Sequence, residues 1–170
     1  MHLGSLLALT PADTRTLVVE RQLLEIVGAR PGNEDDPFAS IVSLLDRAMA
    51  YPPERRLDLE WRWNGLARAF MKMGSVDVFA AIDVYPEPFG DWMIGDISRV
   101  RIKDLAAELR RSDLDGAVNR FDAESLVRDQ VSDWERWKDE LPTLPAWVRK
   151  TVALLLRAAE QDEAILFIYQ

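Results

Sequence analysis

Residues 164–169 read Ala-Ile-Leu-Phe-Ile-Tyr, a nearly unbroken run of apolar strand formers. A strand with one wet face alternates apolar and polar residues, so a run without alternation has to be covered on both faces. It predicts a central strand, with other strands beside it and helices over it. Leu3 to Leu9 is a short apolar run that ends at Thr10-Pro11 and reads as a first strand.

Helices supply the cover. Thr10-Pro11-Ala12-Asp13 is a helix start: Thr10 caps, Pro11 has a φ suited to the first turn and Asp13 answers the cap. Val19, Leu23, Ile26 and Val27 follow at helical spacing, and Gly28 marks the end. Asp36-Pro37 opens a second helix, with Phe38, Ile41, Val42, Leu45, Ala48 and Met49 as its apolar stripe, stopped by Tyr51-Pro52-Pro53. Leu59, Trp63, Leu66, Phe70 and Met73 give a third stripe.

Val76 to Val84 alternates and predicts a half-buried strand; Ser98 to Ile102 predicts a short one. Helices are expected over Lys103–Arg111, from the Ser112–Asp115 capping box to about Arg120, after Asp122, and over Ala146–Glu160. Trp134 and Trp137 share one helical face, which is either core or interface. No repeat or long linker divides the 170 residues. The fold expected is α+β: a single domain, 1–170, with a small mixed or antiparallel sheet and helices packed against it.

Chemistry is constrained by what is missing. The chain has no cysteine and one histidine, His2. Thiolate metal sites, cysteine nucleophiles, a Ser-His-Asp triad and a multi-histidine metal centre cannot be built within it. No Gly-rich phosphate loop appears. The reading therefore assigns no catalytic residue, no metal and no cofactor. Lysines and arginines number 21 against 29 acids, a formal net charge of -8. That balance repels phosphate backbones and anionic membranes and attracts a basic protein partner. The start, MHLGSLLALTPAD, has no basic region and too short an apolar run for a signal peptide, so a cytoplasmic location is expected. Glu34-Asp35-Asp36 lacks the ligand spacing of a calcium loop and reads as a solvated turn.

Four segments, LGSLLALTPADTRTL, LDLEWRWNGLARAF, VRIKDLAAELRRSDLDGAVNRFDAESL and LLLRAAEQDEAILFIYQ, occur in the order of the YfbM-like family of bacterial proteins, which the chain resembles over its whole length. Two departures stand out. Asn64 takes the place of a histidine usual in the family, and VSDWERWKDELP replaces a Tyr-Pro-x-x-Trp stretch. The resemblance implies an α+β domain of unknown function and no particular reaction.

The surface candidate is the loop YPEPFGDWMIGD. It combines Tyr85, Phe89 and Trp92 with Glu87, Asp91 and Asp96, held by prolines. Aromatics beside carboxylates on a stiff loop make a recognition patch at low entropy cost. The alternative is that the aromatics fold back over the sheet end. The function expected is a non-enzymatic binding module, in a bacterium an immunity or accessory protein that neutralises a toxin through this acidic, aromatic surface. The alternative is a carboxylate-based enzyme or small-ligand sensor with a cleft near residues 77–96.

Overall fold

The computed structural model describes residues 4–27, 37–74, 76–85, 93–131 and 133–169, and their side chains except at 20–27 and 37–42. At its centre is a five-stranded sheet of β1 (Gly4–Ala8), β2 (Arg56–Glu60), β3 (Asp83–Val84), β4 (Met93–Ile97) and β5 (Ile165–Tyr169), in the order β2-β1-β5-β4-β3. Every neighbouring pair is antiparallel. The apolar run at the end of the chain is the middle strand, as its lack of alternation requires. Around the sheet lie α1 (Pro11–Val27), α2 (Pro37–Met49), α3 (Trp63–Met73), α4 (Arg99–Arg111), α5 (Leu114–Arg120), α6 (Ser125–Arg128), α7 (Trp134–Glu140) and α8 (Leu144–Glu160).

Strand pleating sorts the core into two layers. Leu6, Ala8, Ile97, Ile165 and Phe167 point to one face, against Phe70 of α3, Leu105 of α4 and Leu155 of α8. Leu7, Ile94, Leu166 and Ile168 point to the other, against Leu17 of α1 and Leu44 and Ala48 of α2. The described face of α1 is turned from the expected stripe, with Thr14 and Leu17 buried and Val19 exposed; in α2 Ala48 is buried and Leu45 half-buried as expected, but Leu44 is buried and Met49 exposed.

Three local expectations are corrected. Residues 76–84 are not one strand. Val76 and Val78 are buried as the alternation suggested, but the Asp77 carboxylate accepts the Ala80 N–H at 3.0 Å and the chain turns through a short 3-10 segment, Phe79–Ala81. A side-chain acceptor close to the backbone offers such a turn in place of a ladder. Only Asp83–Val84 pairs as strand. Residues 98–102 open a helix, because Ser98, in extended conformation, caps α4 by accepting the Arg101 N–H at 3.3 Å. Leu59 belongs to edge strand β2 rather than to the stripe of α3; Ser5 Oγ donates to Asp58 at 2.9 Å and fixes that strand beside β1.

Candidate functional site

The sheet pleat puts Arg56, Leu7, Leu166, Asp96 and Asp83 in one cross-strand row. A cation stands at one edge and two aspartates at the other. Residues directly opposite on antiparallel strands project from the same face, so Asp83 and Asp96 are side-by-side carboxylates. Gly95 makes their pairing possible: a Cβ there would stand 2.7 Å from Ile82 Cγ2 and 2.9 Å from the Asp83 carbonyl oxygen.

The two aspartates line a cleft of about 320 Å³ together with Ser98 and Arg101 of the α4 start and the 80–82 turn. Asp96 is only 4% exposed, whereas Asp83 stands at the rim. The lining therefore carries two carboxylates and one guanidinium. It can hold an ammonium or guanidinium group by charge and hydrogen bonding.

A second groove, of about 490 Å³, lies across the same turn and is lined by Asn64, Arg68, Met71, Asp77, Phe79 and Asp129 among others. Its acids are engaged. Asp77 accepts the Ala80 N–H, and Lys72 at 2.5 Å with Arg68 at 3.8 Å holds Asp129. The Lys72 hydrogen bond keeps the Asp129 carboxyl below the ordinary carboxylate range. Asn64 is part of this groove.

The expected recognition patch fares unevenly. Tyr85 is 7% exposed and packs with Ile94 and Leu166, its N–H donating to the Ile94 carbonyl at 2.9 Å. Tyr85 thus follows the fold-back course and leaves the contact surface, because a large ring at the end of β3 has an apolar layer beneath it. Asp96 is buried in the sheet and reaches outward only through the cleft. Glu87, Phe89, Asp91 and Trp92 lie outside the described residues, as does the Glu34–Asp36 turn. Trp134 and Trp137 part company: Trp137 is fully buried, while Trp134 is half-buried under Lys138 Nζ, 4.3 Å from its ring centre.

Sequence reasoning did not find Ser98 and Arg101, whose place at the cleft depends on the α4 start. Nor did it find the stack around Arg62. The Arg62 guanidinium lies 4.8 Å from the Trp61 ring and 4.7 Å from the Trp147 ring, and donates through Nε and Nη2 to Glu140 at 2.8 and 2.6 Å. The Trp61-Arg62-Trp63 triplet was the available signal.

Among the described residues no group of three histidine, cysteine or acidic side chains is placed to hold a metal, and no helix is long and apolar enough to cross a membrane. No curated protein matches the sequence. The fold is similar to the crystal structure of YfbM from Escherichia coli, a protein of unknown function, with a TM-score of 0.60, 12% identity and 99% of each chain covered. The model of a domain of unknown function, DUF1877, matches residues 2–168. The chain therefore belongs to the DUF1877 family, whose YfbM-like fold it carries from β1 to β5.

Proposed function

We propose that the protein is a non-catalytic binding module, and that the Asp83–Asp96 cleft receives a basic side chain of a protein partner. The observation that carries the reading is the pairing of two aspartates in cross-strand register inside an open cleft. Two carboxylates on one face draw a lysine or arginine of a partner by charge-assisted hydrogen bonding. The excess of 29 acids over 21 cations adds a long-range attraction for a basic surface. An immunity or accessory protein facing a basic toxin is the biological role that fits this chemistry.

The test uses the full chain as bait at low salt. A partner recovered in this way binds more weakly to Asp83→Asn and to Asp96→Asn by about tenfold, the scale of one charge-assisted hydrogen bond, with circular dichroism unchanged. Recovery of no partner, or unchanged affinity for both variants, defeats the reading.

The cleft's size favours a second reading, a small-ligand sensor or carboxylate enzyme, since its 320 Å³ falls within the range of small-molecule sites. Saturable binding of a small aliphatic amine, or turnover abolished by Asp96→Asn alone, selects this one over the first.

A further inference from the structure

At the opposite edge of the sheet, a groove of about 450 Å³ runs between β2 and α8. Its floor is Leu57, Ala153 and Leu154, and its walls carry Arg56, Lys150 and Arg157 against Glu54. In a chain of net charge -8, a concavity with three cations and one acid runs against the average.

The charges around it do not all cancel. Arg56 pairs with Asp58 at 2.7 Å, and Arg55 and Arg157 share Glu163 at 2.7 and 3.3 Å. Counting Glu54, four cations (Arg55, Arg56, Lys150, Arg157) meet three acids (Glu54, Asp58, Glu163), which leaves one positive charge. Lys150 is the exposed cation of the set. No carboxylate among the described residues pairs with it; its Nζ lies 4.6 Å from the Trp147 ring centre instead. The half-buried guanidinium of Arg157, which lines the same groove, adds to the positive field around it.

We propose that this groove binds a small organic monoanion, a carboxylate on an apolar body. The apolar part lies on Leu57, Ala153 and Leu154, and the carboxylate sits between Lys150 and the guanidinium of Arg157. A mostly apolar cavity with a few convergent polar groups is the common form of a small-ligand site. The single surplus charge matches a monoanion; a phosphate dianion would be under-compensated by one charge and would gain nothing from the floor. The site is independent of the Asp83–Asp96 cleft.

The test titrates the intact protein with sodium octanoate, following heat and tryptophan emission, since Trp147 reports on the position of Lys150. Saturable binding at one site is expected, with 1-octanol and inorganic phosphate each weaker by about tenfold. Lys150→Gln, an exposed change on α8, lowers octanoate affinity by about fivefold or more, and Lys150→Arg retains it, the scale set by one charged hydrogen bond. Absence of saturation up to about 10 mM, a concentration that would reveal even millimolar affinity, overturns the proposal. So does phosphate binding more tightly than octanoate, or Lys150→Gln binding octanoate as the unaltered protein does.

Discussion

Gly65 shows how a single missing side chain holds this core together. It lies under the indole of Trp137, which is fully buried and meets the Trp61 ring edge-on, 5.1 Å between centres. A Cβ at Gly65 would overlap the indole, and a core at close-packed density has no room to give. Gly65→Ala should lower stability by about 1–3 kcal/mol, seen as a lower urea midpoint at unchanged slope. Arg62 works through charge as well as packing. Its hydrogen bonds to Glu140 are the main reason that carboxyl titrates below the ordinary carboxylate range, with burial opposing them. A carboxyl depressed by folding stabilises the fold above its unfolded value and loses that contribution as pH falls through its folded one. Stability should therefore decline below about pH 4.5. Glu140→Gln should be less stable at pH 7 and should show a shallower decline between neutral and acid pH. Equal pH slopes for the variant and the unaltered protein would place the acid sensitivity elsewhere. None of these partnerships was legible in the sequence, because each joins residues that only the fold makes neighbours.

Helix α1 was legible, and its start shows why. Thr10 Oγ1 accepts the Asp13 N–H at 3.1 Å and donates back to the Asp13 carboxylate at 3.0 Å, so the local T-P-A-D pattern carries its own partners. The same carboxylate takes the Tyr51 hydroxyl and, at 2.8 Å, the Arg47 guanidinium, which couples the start of α1 to the end of α2. Burial pushes the Asp13 carboxyl up, and the hydrogen bonds from Tyr51, Arg47 and Thr10 together bring it below its ordinary range. Thr10→Ala should cost about 0.5–2 kcal/mol, and Tyr51→Phe should weaken the same tie, both measurable by thermal unfolding. Where a cap marks the start, as Thr10 does for α1, element type is readable from the chain even though the buried face is not. It fails where a short polar side chain decides. Asp77 converts the alternation at 76–84 into a turn, and Ser98 converts an apparent strand into the first turn of α4, leaving Val100 at 73% exposure on a helix. The acid cleft was half legible for this reason: Asp83 and Asp96 were visible as acids, but their register depends on a two-residue strand that exists only by pairing with β4.

Across the whole molecule, the first and last strands are neighbours: β1 pairs with β5 over Gly4–Tyr169 to Ala8–Ile165. The sheet cannot close until both ends of the chain have come together, which favours slow folding and a central pair that opens only with the entire domain. Cover is uneven. β5 is buried on both faces, β2 carries α8 against it, and β3 is two exposed residues at the far edge. Local stability should fall from β5 outward to β3. In native-state hydrogen exchange, the amides of Leu166 and Phe167 should exchange only through global unfolding, while the amides of β3 should exchange through local opening at lower free energy. The consequence reaches the cleft, because Asp96 sits on the well-anchored β4 and Asp83 on the loose strand opposite. A cation bridging the two carboxylates would tie the loose strand to the firm one, so a bound basic group should slow exchange in β3 while leaving β5 unchanged. If β3 is already as protected as β5 in the free protein, the cleft is rigid, and a partner would have to fit it without any adjustment of the rim.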